Sequence, residues 1–438
     1  VKKSLTLLIA ILWSSAADLT WGQSVPTDNA SSITPSATTT VPATGTARAA
    51  ETWEVVSPDL LPLSQKISAS LNQAIERGEI PGAVVMAGTL DEILLHGAVG
   101  DRILSPEKIP LRPGDVFDLA SLTKPLATSL AVMKLVDQKQ LDLNEPVAKY
   151  WPEFKENGKD TITSIDLLTH RSGLIADNAL ADYAQGPEIA WQKMARLPLR
   201  QPAGTRFVYS DVGLMVMGRV VEKISGKSLA EFCAQELYQP LALKRTRYLP
   251  PAPWADQLVP TEGPVGTVHD PRAARLGGIA GHAGLFSDAQ GIAVLSRAIL
   301  AALEDEDSSS LQKENPLRAT MPRIFSPATA RLMVTPVEVP AVSSNMPTTV
   351  HRALGWDMRS TYSSNRPTKM SDSAFGHGGF TGTSLWIDPQ RKLFVCILSS
   401  RLYPDGKGVI NPLAREIGDR IVEQFDARAD RSATTTSE

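Results

Sequence analysis

The chain has 438 residues, a formal net charge of −3 and two cysteines. That length supports more than one lobe around a large core. The near balance of charge points away from nucleic acid, and two cysteines exclude both a disulfide framework and a zinc-finger site.

Lys2 and Lys3 precede an apolar run, Leu5 to Trp13, too short to span a bilayer, followed by small residues at Ser14, Ser15, Ala16 and Ala17. Residues 1–22 therefore read as a secretory signal peptide cleaved between Ala16 and Gln23, which predicts a periplasmic or secreted protein. An uncleaved membrane anchor is the other reading of the same run. Residues 23–55 are rich in Ser, Thr, Ala and Pro, lack apolar periodicity and read as a disordered linker. No later run is apolar for long enough to cross a membrane, so no stable span is expected after cleavage.

The spacing predicts a helix over Ser64–Arg77, then strands at Ala83–Gly88 and Ile93–Gly100. From Ser121 to about Met333 the pattern is mostly helical, with the run Glu304–Asp307 and Ser308–Ser310 as a solvated loop. Strands follow at Ser384–Ile387 and Leu393–Leu398, then a helix at Leu413–Gln424 and a disordered tail over 426–438. Strands at both ends with helices between predict an α+β fold over residues 56–425. Its antiparallel sheet is built from N- and C-terminal strands and flanked by helices, with an all-helical lobe inserted at about 126–335. The site is expected where the lobes meet. Cys233 and Cys396 read as small buried hydrophobes.

Three motifs carry chemistry. In Ser121-Leu122-Thr123-Lys124, residues three apart share one helix face, which puts an amine within reach of a hydroxyl. Pro125 fits a first helical turn, and Leu126, Leu130, Met133 and Val136 continue the helix. The same residues also fit a helix N-terminus capped by Ser121 with a solvated Lys124. In Tyr209-Ser210-Asp211, a phenol between two helices accepts or relays a proton once cations lower its pKa; the plain alternative is a cap with Tyr209 packed beneath. His377-Gly378-Gly379-Phe380-Thr381-Gly382 leads into a strand whose edge offers an N–H to an oxyanion, or is simply a Gly-rich turn with an exposed His.

In combination and order, these motifs resemble the class C β-lactamase-like serine hydrolases of the penicillin-binding-protein superfamily. The resemblance runs from about Ser64 to Gln424 and includes Asp166-Leu167-Leu168-Thr169-His170-Arg171-Ser172-Gly173-Leu174. Val268-His269-Asp270, Gly277-Gly278-Ile279-Ala280-Gly281-His282-Ala283-Gly284-Leu285-Phe286-Ser287 and Arg401-Leu402-Tyr403-Pro404 resemble a subgroup of periplasmic D-Ala-D-Ala carboxypeptidases.

The resemblance implies an α/β sandwich of the β-lactamase/D,D-peptidase type, an acylated nucleophile at Ser121, and base work shared by Lys124 and Tyr209. His377, Gly378, Gly379, Phe380, Asp211 and His282 would line the substrate site, with oxyanion donors on the Ser121 and Phe380 N–H groups. Substrates would be D-Ala-type peptidoglycan peptides or the β-lactams that mimic them, with no metal or organic cofactor. A carboxylesterase acting on short acyl esters and a penicillin-binding sensor are the alternatives.

Two positions depart from the family pattern. Asp211 stands where the family carries Asn, and a carboxylate there favours a protonated Lys124, which shifts the expected base toward Tyr209. His377 stands where Lys is common, and an unperturbed His is mostly neutral at pH 7, which weakens recognition of a free carboxylate. His170 and Arg171 read as structural. His269 and His282 read as a pocket-lining pair, because no carboxylate–His spacing on a helix accompanies them.

Overall fold

The computed structural model describes residues 50–54, 58–304, 322–343 and 346–435. The signal-peptide segment, nearly all of the linker and most of the acidic loop after Glu304 lie outside the described residues.

The main sheet is antiparallel throughout and draws strands from both ends of the chain. Its order runs β1 (Glu51–Trp53), β3 (Ile93–Ile103), β2 (Gly82–Thr89), β13 (Leu393–Ser399), β12 (Ser384–Asp388), β11 (Phe375–Gly378), β10 (Trp356–Asp357), β9 (Met346–Ala353) and β8 (Val337–Ser343). A short β4 (Ile109–Pro110) pairs with β3 off this path. The expected α+β layout is present: an antiparallel sheet flanked by helices, joined at its centre by the pairing of β2 with β13.

The sheet separates two cores, and side-chain alternation explains why its central strands are buried on both faces. Val84 and Met86 of β2, with Phe394, Cys396 and Leu398 of β13, face the helical lobe. Ala83, Val85 and Ala87, with Leu393, Val395 and Ile397, face the helices Leu61–Glu76 and Asn411–Thr435. Each large side chain buried in this way contributes about 1.5–3 kcal/mol. Cys233 and Cys396 are free and buried, as packing residues should be.

Three features differ from expectation. Residues 51–53 are strand β1, paired with Val99, Ala98 and Gly97, so ordered chain begins inside the segment read as linker. Trp53 explains it, because its indole N–H reaches Ser68 Oγ at 2.8 Å. The last helix runs to Thr435, ten residues past the expected boundary at 425. Arg391 grips Asp426 at 2.8 and 2.9 Å, extending the helix beyond its apolar stripe. The middle of the chain also holds a small sheet in the order β5 (Phe117–Asp118), β7 (Leu285–Ser287), β6 (Arg247–Tyr248), each strand too short to show a period. Among the described residues, no helix is long and apolar enough to cross a membrane.

Candidate active site

The turn carrying Ser121 is built by the residues before it. Strand β5 ends at Asp118, whose Oδ1 accepts the Ala120 N–H at 2.8 Å. Ala120 then takes φ 47°, a left-handed backbone unusual for a residue with a side chain. A 3₁₀ turn at Ala120–Leu122 leads into a π-helical segment at Lys124–Ser129 and an α-helix at Leu130–Asp137. No side chain caps this helix at its start, so Ser121 is free of the capping role. The hydroxyls of Thr381 and Thr383 bond the carbonyls of Asp118 and Leu119 at 2.7 and 3.0 Å, which straps the segment after β11 to the turn.

Lys124 is fully buried, and its ammonium meets three acceptors. Nζ lies 2.7 Å from Ser121 Oγ and 3.4 Å from the His282 carbonyl oxygen. It also forms an ion pair with Asp211 Oδ1 at 2.7 Å, off the line of an aligned hydrogen bond. Burial raises the proton affinity of Asp211, but Lys124 and His282 outweigh it and hold the carboxyl below its usual value. Asp211 thus stands beside Lys124 as a carboxylate.

Tyr209 stands over this pair. Its ring lies 4.9 Å from Lys124 Nζ and stacks on Tyr362 at 5.0 Å, with His170 beneath at 4.6 Å. Part of the ring is exposed in the cleft, while its hydroxyl end sits in packed surroundings. Burial, then the charge of Asp211, pushes the phenol well above its ordinary pKa, against weaker opposition from Ser121 and Arg352. The sequence expectation that cations would lower it is corrected: burial and Asp211 outweigh Arg352, and Tyr209 rests as a neutral phenol. His170 has the structural place expected of it. It adopts φ 58° and accepts the Ser210 N–H on Nδ1 at 3.0 Å, which fixes the backbone beside Tyr209.

His377, on β11, is buried and neutral. Burial first, then the charges of Lys124 and Arg352, lowers its pKa to about 3. Its Nδ1–H donates to the Gly378 carbonyl at 2.7 Å, and Nε2 is left without a partner. The ring is thus a hydrogen-bond acceptor. Gly379 permits the approach of this strand end to the nucleophile turn: a Cβ there would lie 2.5 Å from the Leu119 carbonyl oxygen. Phe380 is 58% exposed at the rim, between the His269 ring at 5.9 Å and the Arg401 guanidinium at 4.3 Å.

The Gly-rich loop supplies the far wall. Gly281 packs so tightly on the helix Asp211–Ser225 that a Cβ would come within 2.0 Å of the Leu214 carbonyl oxygen. This seats His282 beside Lys124. His282 Nε2–H donates to Asp270 Oδ1 at 2.9 Å, and Asp270 also accepts the N–H groups of Arg272 and Ala273. Burial opposes ionisation of Asp270, but these donors hold its carboxyl far below the usual range. His269 donates its backbone N–H to Asp118 Oδ2 at 2.7 Å, and its ring Nδ1 lies 3.2 Å from the same oxygen. Burial works against its protonation, but Asp118 raises its pKa overall. Ligand-capable atoms of Asp211, Asp270 and His282 meet within 4.8 Å. Lys124 already neutralises Asp211, and His282 already serves Asp270.

Ser121, Tyr209, Asp211, His282, His377, Gly378, Gly379 and Phe380 line one cleft of about 710 Å³, with Lys124 behind its wall. The lining also includes Asp177, Glu262, Asp357, Tyr362 and Arg401, which sequence reasoning missed as site residues. Behind Tyr209, Arg352 is buried and paired with Asp357. Another cleft of about 780 Å³, around His96, Asp115 and Arg245, contains none of the motif residues.

This constellation sits in a recognisable sequence background. The family described as Beta-lactamase matches residues 67–419. The chain belongs to the beta-lactamase family. The family is one of hydrolases. This beta-lactamase-family chain is 32% identical over 395 residues to the N-acetylmuramyl-L-alanine amidase of Bacillus subtilis strain 168, covering 80% of this chain and 84% of that one. It is 30% identical over 343 residues to a Salmonella agona protein named "Putative D-alanyl-D-alanine carboxypeptidase", covering 68% of this chain and 72% of the relative. Among solved structures, a penicillin-binding protein homologue from Caulobacter crescentus superposes with TM-score 0.66 at 17% identity, over 84% of this chain and 98% of that one, and shares the beta-lactamase-type fold.

Proposed function

We propose that this beta-lactamase-family member is an exported serine hydrolase that forms an acyl-enzyme on Ser121. The observation that carries the reading is the 2.7 Å contact between Lys124 Nζ and Ser121 Oγ at the floor of a substrate-sized cleft. A serine becomes a nucleophile when a base stands against its hydroxyl, and no other amine faces Ser121 among the described residues.

Ser121 Oγ attacks an amide or ester carbonyl, and its proton passes to Lys124. The N–H groups of Ser121 and Phe380 receive the developing oxyanion; neither has a backbone acceptor outside regular elements among the described residues. Tyr209, a neutral phenol against Ser121, donates a hydrogen bond toward the leaving atom. Water then releases the acyl group by the same route. The scheme calls on no metal or organic cofactor.

The substrate class we favour is the amide of a D-Ala-type peptidoglycan peptide, supported by the name of the Salmonella relative, while the Bacillus relative is named for a different amide, that of N-acetylmuramyl-L-alanine. A β-lactam would acylate the same serine as a mimic. One observation favours a carboxylesterase as the second reading: neutral His377 offers no fixed cation to a free carboxylate. A catalytically silent sensor is less well supported, because Ser121, Lys124 and Tyr209 are all present and in contact.

Labelled penicillin and a nitrophenyl ester, applied to wild type and Ser121→Ala, test the nucleophile. Loss of labelling and turnover in the variant is the expected result, and full retention of both would refute it. D-Ala release from a muropeptide pentapeptide separates peptidase from esterase.

A further inference from the structure

Lys124 has three N–H bonds as an ammonium and three acceptors around it: Ser121 Oγ, Asp211 Oδ1 and the His282 carbonyl oxygen. In that state it has no lone pair to receive the Ser121 proton. One proton must leave first. A serine hydroxyl and a peptide carbonyl are too weakly basic to hold it, which leaves Asp211.

We propose that Asp211 is the proton store of this site: it takes a proton from Lys124 when substrate is engaged, freeing the amine to accept the proton of Ser121. The proposal rests on the reading of Ser121 as the nucleophile. It gives the Asp that replaces the family's usual Asn a chemical task.

The surroundings of Asp211 suit that task. Its side chain is 20% exposed and lines the cleft, so a bound substrate covers it and removes water from the ion pair. A desolvated ammonium–carboxylate pair moves toward its neutral amine–acid form. Asp270 raises the proton affinity of Asp211, while Lys124 and His282 lower it. Asp177, across the cleft and paired with Arg272 at 3.4 Å, is coupled to Asp211 by mutual repulsion. Tyr209, Tyr362 and His377 complete the titratable groups that feel its charge. His282, bonded to Asp270 and touching Lys124 through its carbonyl, joins the two pairs and is a positioning residue here.

The protons balance. Transfer from Nζ to the carboxylate gives an amine and a carboxylic acid. As the Ser121 Oγ–carbon bond forms, the hydroxyl proton passes to Nζ and the carbonyl π electrons move to oxygen. When the bond to the leaving amine or alkoxide breaks, Nζ supplies its proton. Asp211 then returns the stored proton to the amine, and the resting ion pair is restored.

The test is the pH profile of kcat/KM for nitrophenyl-ester turnover and of penicillin acylation rate, on wild type, Asp211→Asn, Asp211→Glu, Asp270→Asn and Ser121→Ala. Asp211→Asn keeps an oxygen acceptor but cannot store a proton, so Lys124 must discharge to solvent. Its acid limb is expected to move up by more than about two pH units, from the carboxylate range toward the amine range. At neutral pH the rate should fall about 10- to 100-fold while KM changes less than about threefold. Asp211→Glu should restore the low acid limb. Asp270→Asn should lower kcat in the wild-type background and have no effect on Asp211→Asn. A wild-type profile in Asp211→Asn overturns the proposal. If Asp211→Asn does not fold, an Asp211→Glu limb moved into the amine range, or no loss of kcat in Asp270→Asn, overturns it instead. Turnover surviving in Ser121→Ala sinks the nucleophile reading, a separate failure.

Discussion

Nδ1 of His377 lies 2.7 Å from the carbonyl oxygen of Gly378, so this imidazole spends its only proton on the backbone. The ring that faces the cleft is an uncharged acceptor, and its neutrality has a thermodynamic consequence. Its folded-state pKa, about 3, lies below the unfolded value, so the unfolded chain binds more protons between the two. Stability from His377 is complete above the unfolded value and is lost as pH falls toward about 3. Buried His170 is shifted the same way. His377 should contribute about 1.4 kcal/mol per pH unit inside that window. Urea unfolding from pH 7 to pH 4 should show the slope, and His377→Gln should reduce it. An unchanged slope in the variant would rule out the neutral buried ring.

Gly379 is the close contact between sheet and nucleophile turn. A Cβ at this position would also meet Thr383 Oγ1 at 2.1 Å. Gly379→Ala should push the Phe380 N–H away from Ser121 and lower kcat/KM by about 100-fold or more, the scale of losing one oxyanion donor. Far-UV circular dichroism should remain that of wild type. Near-normal turnover in a folded variant would argue that Phe380 is not an oxyanion donor.

Ala120 carries the strain beside Ser121. Ala120→Gly removes the left-handed penalty but frees the unfolded chain, so net stability should change by no more than about 1 kcal/mol. The looser turn should lower kcat with little change in KM. Ala120→Val, β-branched at φ 47°, should lose both activity and stability. Thermal unfolding alongside initial rates measures both effects.

Arg352 and Asp357 form a buried pair behind Tyr209. Arg352→Ala strands a carboxylate and should cost about 3–5 kcal/mol. Replacing both partners with apolar residues of similar size should recover much of that loss. Denaturant titration of the two singles and the double closes the cycle.

What the sequence disclosed follows from what each signal depends on. Ser121 and Lys124 were legible because three residues on a helix are one turn in any fold. Tyr209 and His377 were legible through motif order, but their charge states were not, since these depend on Asp211, Lys124 and Arg352 converging from distant segments. Strands β8 to β10 escaped notice because Pro340 and Pro347 interrupt the first two and the third is only two residues long, and with them went Arg352 and Asp357. Asp270 was visible as part of a motif, and its link to His282 required the loop to fold back. The N- and C-terminal boundaries were missed because Trp53 and Asp426 are held by distant partners, Ser68 and Arg391, that no local pattern announces.

The helix Leu61–Glu76 and the final helix cover one face of the sheet side by side, tied by Ser70 Oγ and Glu416 at 2.8 Å. Beginning and end of the catalytic chain are therefore a single structural unit assembled across more than three hundred intervening residues. During synthesis, β2 waits with one edge unpaired until β13 emerges, and the face that the helix Leu61–Glu76 packs on stays half covered until the last helix follows. The strand bearing His377 is also made late. A half-made chain thus has the Ser121 segment but no completed cleft around it, and hydrolytic competence arrives only with the final residues of the fold.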